Sequence, residues 1–315
     1  MHAILDHLDA DLNRPFRVLA YGDPNIDLVF AVGRAPQSNQ KVLGRRLGSF
    51  AGGTVANAAC AAAALGCRTR AFGRVGDDAD GRFLLDAYAC DGVATDLVRT
   101  QDGAASACAM VMLEPGGEKA LVYAPLAGSV FDAQVLPGAL AQCSLLYAMP
   151  YDPVEFGRLQ ALARAAGALV AIDVEAAMAP QAGDIDRLMG LADIVFMNDA
   201  TYHALFGKAP QREDLPALLA RGPSLVVVTC GAAGAMAAGA PGAAQHPAFA
   251  AAPIDATGAG DCFNGAFLAA LFEGRALDGC LRFACAAASF AVAQVGARSG
   301  IPSWAQVEGL LARRA

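Results

Sequence analysis

Between Asp255 and Asp261 the chain reads D-A-T-G-A-G-D, and the apolar run C-F-N-G-A-F-L-A-A-L-F follows directly. Glycine loses more backbone freedom on folding than any other residue, so Gly258 and Gly260 ahead of a helix ask for an offsetting gain. Successive N–H groups around Gly258, Ala259 and Gly260 would point into one space, at the positively polarised start of the helix that the apolar run predicts. That combination holds an anion. Asp261 then stands at the helix start, where a carboxylate can take the proton of a hydroxyl attacking that anion, which is the chemistry of phosphoryl transfer. The same letters also fit an aspartate capping a helix after an ordinary glycine turn.

Three further stretches have residue types suited to a ligand. In G-S-F-A-G-G-T-V-A-N-A-A (48–59), Gly52 and Gly53 open a predicted helix and would let a ligand approach the backbone, while Asn57 both donates and accepts. In Y-G-D-P-N-I-D-L-V (21–29), Asn25 and Asp27 alternate with Ile26, so both can face one side and bind paired hydroxyls; an Asp-Pro-Asn turn explains the letters too. In T-C-G-A-A-G-A (229–235), small residues after a strand would admit a nucleotide to the backbone, and a plain hairpin turn accounts for them equally.

The elements that must position these residues follow from hydrophobic patterning. F-R-V-L-A-Y-G (16–22), T-R-A-F-G-R-V-G (69–76), C-S-L-L-Y-A-M-P (143–150), A-L-V-A-I-D-V (168–174), A-D-I-V-F-M-N (192–198) and S-L-V-V-V-T-C-G (224–231) are short and mostly apolar without alternation. Strands covered by helices on both faces read that way. Helical patterns lie between them, several ending on glycine, as in G-G-T-V-A-N-A-A-C-A-A-A-A-L-G and P-V-E-F-G-R-L-Q-A-L-A-R-A-A-G. The alternation predicts an α/β fold with a mostly parallel sheet. Residues 28–50 and 105–124 depart from it and read as β-pairs, the second with a Pro115-Gly116-Gly117 turn. Two separated β-insertions would make a small sheet standing off the body, a lid. The apolar residues from Asp278 to Val295 predict a packed C-terminal helix, and no repeat or linker interrupts the chain.

With 56% hydrophobic and 17% charged residues, the chain can bury a large core and is not disordered. Its net charge of −7 argues against nucleic acid or an anionic membrane as partner. Nine cysteines without a C-x-x-C pair fit reduced thiols in a cytoplasmic protein, and His2, His7, His203 and His246 lie too far apart for a local zinc site. The opening M-H-A-I-L-D-H-L-D-A-D-L-N-R-P-F is acidic and lacks a long apolar core, so no signal peptide is expected. No apolar stretch reaches the ~18–20 residues of a membrane span.

The order and spacing of these motifs carry more than any one of them. From about Arg17 to Pro302, with D-A-T-G-A-G-D as the most diagnostic element, the chain resembles the ribokinase-like (PfkB) carbohydrate kinases, which include nucleoside kinases. The resemblance implies a single ribokinase-like domain over 1–315, a three-layer α/β/α sandwich with a mostly parallel sheet and a β-sheet lid. It implies ATP and Mg2+ as cofactors, a sugar or nucleoside as substrate, and a homodimer made through the lid. Asp261 is implied as base, with the amides of Ala259, Gly260 and Asp261 on the transferring phosphoryl group beside Gly258. Asn25, Asp27, Gly52, Gly53 and Asn57 would hold the acceptor's hydroxyls. Asn198, Thr229, Gly231 and Gly234 would lie along the nucleotide, with the Ala284–Ala291 helix flanking the adenine. Asp255, Thr257, Ala291, Gly296 and Gly300 match the position of a monovalent cation, K+, beside the anion site.

One position departs from the pattern. Relatives commonly carry Asn-x-x-Glu, linked to magnesium and phosphate handling, whereas this chain has Asn198 followed by Thr201 in the glutamate's place. Three readings follow: a sugar kinase, a nucleoside kinase with Phe30 or Phe50 against the base, or a catalytically impaired sugar- or nucleotide-binding regulator. A dinucleotide oxidoreductase is rejected, because G-A-G-D-C-F has Phe263 where G-x-G-x-x-G needs its third glycine.

Overall fold

Short apolar runs become strands here because helices cover them on both sides. The computed structural model describes residues 4, 14–115, 119–181, 183–240 and 242–313; His2, His7, most of the opening segment and the turn glycines Gly116 and Gly117 lie outside the described residues. The chain runs β1 (Phe16–Tyr21), β2 (Asn25–Val32), β3 (Gly44–Gly52), α1 (Thr54–Ala64), β4 (Thr69–Gly76), α2 (Ala79–Cys90), β5 (Ala94–Gln101), β6 (Cys108–Leu113) and β7 (Lys119–Ala124). It continues through α3 (Leu136–Ala141), β8 (Cys143–Ala148), α4 (Pro153–Ala165), β9 (Leu169–Val174), α5 (Asp184–Gly190), β10 (Ile194–Asn198), α6 (Asp199–Phe206) and α7 (Leu215–Leu219). Last come β11 (Leu225–Thr229), β12 (Ala235–Gly239), β13 (Gly242–His246), α8 (Ala259–Phe272), α9 (Leu277–Ala291) and α10 (Trp304–Ala312).

Nine strands form one sheet in the order β13-β12-β11-β10-β9-β8-β1-β4-β5. Pairing is parallel from β11 to β5, and β12 and β13 add an antiparallel end. Along β1 the side chains alternate between two cores. Val18 and Ala20 pack with α1, α8, α9 and α10, and Leu19 and Tyr21 pack with α3 to α7. This is the expected three-layer α/β/α arrangement. The chain leaves β1 for β4 on one side and returns to β8 on the other. Open α/β sheets bind ligands at such a switch, beyond the carboxyl ends of the strands.

The two β-insertions join in a four-stranded sheet, order β3-β2-β6-β7. Its central pair, β2 with β6, is parallel and brings the insertions together. One face, with Ile26, Ala51 and Leu28, packs on Leu84 of α2, and Met110, Leu121, Val122 and Tyr123 are left exposed. The first insertion begins at Asn25 rather than at 28, so Asn25 and Asp27 both belong to a lid strand.

Two differences from the sequence reading concern the end of the chain. The helix expected over 278–295 stops at Ala291, because the Val292 carbonyl turns away to accept the amides of Ile254 and Asp255. It is also not the last helix: α10 follows, started by a Ser303–Gln306 capping box. All nine cysteines are free, and among the described residues no helix is long and apolar enough to cross a membrane.

Candidate active site

The carboxyl edge of the sheet meets the base of the lid at Asn25 and Asp27. Both are buried, and Asn25 Nδ2 donates to Asp27 Oδ1 at 2.7 Å, so the alternation does put them on one face. Asp27 lies directly over Gly52, its partner strand's last residue; a Cβ on Gly52 would sit 2.5 Å from the Asp27 carboxyl carbon. Gly53 then enters α1 with φ +97, a backbone that L side chains rarely adopt. Burial raises the Asp27 carboxyl above its ordinary value, against the donation from Asn25 and the charge of Arg298. Asp23 of the same motif is taken up elsewhere: it pairs with Arg74 at 2.7 Å, both side chains buried, and Arg74 also donates to the carbonyls of Leu126, Ala127 and Gly128.

Helices α1 and α8 are rich in alanine and pack closely. A Cβ on Gly265 would meet Ala61 Cβ at 2.8 Å. The close approach brings Asn57, one turn into α1, against the start of α8, where Asn57 Nδ2 donates to Asp261 Oδ2 at 2.7 Å. Gly258 caps α8 at φ +75, and a Cβ there would lie 2.5 Å from the Ala297 carbonyl oxygen. Ala259 N–H donates to the Ala256 carbonyl at 3.3 Å, so the expectation of three open amides is corrected. Closing the local turn uses the first one. Gly260 and Asp261 N–H meet no protein acceptor among the described residues, and a Cβ on Gly260 would face open space. Burial pushes the Asp261 carboxyl up to about 6, opposed by Asn57 and Lys119 and aided by Glu175 and Asp27.

Asp255 ties this helix start to the loop after α9. Its Oδ1 accepts from Thr257 N–H and its Oδ2 from Gly296 N–H, each at 2.9 Å. Thr257 Oγ1 is buried with no hydrogen-bond partner. Gly300 lies against the loop's other wall, where a Cβ would meet the carbonyl oxygens of Phe290 and Ala291 at 2.7 and 2.8 Å. Of the five residues expected around a cation, Asp255, Thr257 and Gly296 are joined by hydrogen bonds, and Gly300 packs on Ala291.

The residues expected along a nucleotide are dispersed in role. Asn198 and Thr229 are register partners at the carboxyl ends of β10 and β11. Asn198 Oδ1 accepts from Thr201 N–H at 2.7 Å as the N-cap of α6, and Thr201 is buried. Gly231, in the turn after β11, has open space where a Cβ would be. Gly234 does not: a Cβ would lie 2.6 Å from Ala248 N, so this glycine serves the packing of the β12 start against the segment after β13. The Ala284–Ala291 stretch is mostly buried against the core. A pocket of about 310 Å3 lined by Asp199, Arg212, Cys230, Met236 and Gln245 opens on the α3–α7 side of the sheet, away from Asp261. Among the described residues no three His, Cys, Asp or Glu side chains come together to hold a metal.

Several residues at the site escaped the sequence reading. Asn264, one turn beyond Asp261, donates to Asp173 Oδ2 and to the Tyr147 hydroxyl oxygen, 3.0 Å each. Asp173 is the last residue but one of β9, near the same carboxyl edge where Asn198 ends β10, and that position was its only signal. Burial, with the charges of Asp261 and Glu175, raises its carboxyl well above the usual range. Lys119 on β7 acts electrostatically on both Asp27 and Asp261. Arg298, in the loop after α9, binds Asn57, Gly52 and Cys60.

Comparisons with known proteins identify the family and the fold. The ribokinase of Bacillus subtilis is 29% identical over 300 residues, covering 93% of this chain and 99% of that one. A nucleoside kinase of Methanothermobacter thermautotrophicus is 28% identical over 290 residues, 90% of this chain and 92% of that one. The structure of Arabidopsis thaliana ribokinase complexed with ribose and ATP superimposes with a TM-score of 0.79 at 27% identity, covering 94% of this chain and 98% of that one. The sequence profile of the pfkB family carbohydrate kinases matches residues 16–304, and the chain belongs to that family.

Proposed function

We propose that this carbohydrate kinase moves the γ-phosphoryl group of ATP to a hydroxyl of a sugar or sugar-like acceptor. One observation carries the reading: a carboxylate held by Asn57 at 2.7 Å stands beside two unused amides at a helix start, with open space in front of Gly260. Asn25 and Asp27 hold the acceptor through its other hydroxyls. Its attacking oxygen bonds to the γ-phosphorus as the bond to the β,γ-bridging oxygen breaks, ADP leaves, and the proton passes to Asp261. With its carboxyl near 6, Asp261 is mostly ionised at pH 7 and above, the state a base requires. The amides of Gly260 and Asp261 stabilise charge on the transferring group, and the helix polarity adds to them. The whole chain works as one kinase domain.

Asp255, Thr257, Ala291, Gly296 and Gly300 suit a monovalent cation, which the buried, unpaired Thr257 hydroxyl favours. When bound, it supplies positive charge near the anion site. Magnesium finds no carboxylate cluster among the described residues, and Thr201 brings none, so no step here runs through a protein-held magnesium. Phe50 shares the face of Asp27, which keeps nucleosides among the acceptors to be tested.

The test is ADP release from MgATP with K+ present, over pentoses, hexoses, sugar acids and nucleosides, with Asp261→Asn alongside. Acceptor-dependent turnover that collapses in the variant is the expected result. Binding of acceptor or ATP by calorimetry without any turnover would overturn the reading in favour of a regulatory binder.

A further inference from the structure

The Arg298 guanidinium is planar, and its N–H groups leave in fixed directions. Three of them are committed: Nε donates to Asn57 Oδ1 at 2.9 Å, Nη2 to the Gly52 carbonyl at 2.7 Å, and Nη1 to Cys60 Sγ at 3.3 Å. Its flat face covers the Tyr88 ring, 5.1 Å from the centroid. A side chain anchored at four points does not turn to suit its neighbours; they turn to suit it. The neighbour that matters is Asn57. An amide has one accepting end and one donating end, and Arg298, which only donates, selects the accepting end. The donating end must then face Asp261, where it does donate, at 2.7 Å. Flipped, the Asn57 oxygen would face a carboxylate and its NH2 would face a guanidinium, so both contacts would become repulsive.

We propose that Arg298 is a positioning residue for Asp261, acting through the Asn57 amide. It fixes which end of that amide meets the carboxylate, and so fixes the carboxylate's direction and its basicity. The same guanidinium holds the Gly52 carbonyl, under Asp27, so acceptor pair and base share one anchor. The assignment rests on the kinase reading, in which Asp261 is the base. Besides Asn57, the groups that interact electrostatically with Asp261 are Asp27 on β2, Lys119 on β7, Tyr147 on β8, Asp173 on β9, Glu175 just beyond it and Cys262 next to it on α8. One of them, Asp27, also feels the Arg298 charge, which favours its ionised form.

The experiment compares the full chain with Arg298→Ala, Arg298→Lys, Asn57→Ala and the Arg298→Ala/Asn57→Ala double variant. Turnover is measured against pH with the best acceptor. The Asp261 carboxyl is titrated by 13C NMR, its signal identified by its absence in Asp261→Asn. Arg298→Ala should lower kcat about tenfold to a hundredfold, the usual effect of misplacing a reacting group. It should also move the Asp261 titration upward by about half a pH unit or more, because a donor to the charged form is lost. Asn57→Ala should do the same and the double variant no more than either, while Arg298→Lys, which keeps a cationic donor, should recover part of both effects. Arg298→Lys also serves as the test variant if Arg298→Ala does not fold. An unshifted Asp261 titration in a folded Arg298 variant, or effects that add in the double variant, would overturn the proposal. If the parent chain turns over no acceptor, the kinase reading falls, and the NMR comparison still decides whether Arg298 governs Asp261.

Discussion

Replacing Asp261 by asparagine should abolish turnover and make the protein more stable. Burial lifts the carboxyl from its ordinary 3.8 to about 6, even though Asn57 donates to it. Unfolded, the group ionises above about pH 4; folded, only above about 6. Between those values the folded chain holds the extra proton, so stability falls as pH rises, and the loss is complete above the folded value. A carboxyl displaced that far corresponds to about 3 kcal/mol, an upper figure because Asp261 keeps some contact with solvent. Asparagine never ionises, and its side-chain oxygen can still accept from Asn57. Urea unfolding of parent and variant from pH 4.5 to 8 is the assay. The variant's advantage should be smallest at the acid end, grow up to about pH 6.5, and then level off. A variant no more stable than its parent at pH 7.5, or an advantage that does not change with pH, would refute the argument that Asp261 is a desolvated carboxylate held for chemistry rather than for the fold.

Other substitutions separate space, charge and scaffold. Gly260→Ala should fold at least as stably, since its Cβ meets nothing and alanine favours a helix by up to about 1 kcal/mol; it should still lose about tenfold or more in turnover, because the methyl fills the space in front of the amides. Gly52→Ala should raise the acceptor KM about tenfold and cost about 1–3 kcal/mol in urea unfolding, because its Cβ overlaps the Asp27 carboxyl. Arg74→Ala should cost about 3–5 kcal/mol by the same measurement, by leaving Asp23 buried and unpaired.

The parallel strands buried on both faces were legible nearly to the residue, whereas β12, A-M-A-A-G, is buried throughout but short and made mostly of small residues, and was not. β4 matches the expected run T-R-A-F-G-R-V-G at both ends and is buried throughout, and β8 differs only in stopping before Met149. Edge strands were not. β5, A-T-D-L-V-R-T-Q, and β13, G-A-A-Q-H, present polar side chains to solvent on the rims of the sheet, so no apolar run marks them. α10 had a local signal, the Ser303–Gln306 pair, that went unread behind the stronger apolar helix before it. At the site, the glycines and Asp261 stood out because anion binding at a helix start needs small residues in consecutive positions. Asp173, Asn264 and Lys119 did not, since nothing near them in the chain says where they point.

By itself, the sequence determined which segments become buried strands and helices, where the glycine-lined helix start lies, and through those motifs the family. Each is a property of neighbouring residues, governed by side-chain period and backbone freedom over a few positions. The tertiary structure decided that Ala259 spends its amide on Ala256 while Gly260 and Asp261 keep theirs. It alone made the β2–β6 pair that unites two insertions about 80 residues apart into one lid. It also joined Arg298, Asn57 and Asp261 in one line, contacts that span 241 and 204 residues of chain. Such contacts depend on how close α1 and α8 can come, which the small side chains along both helices permit but which only the packed core fixes.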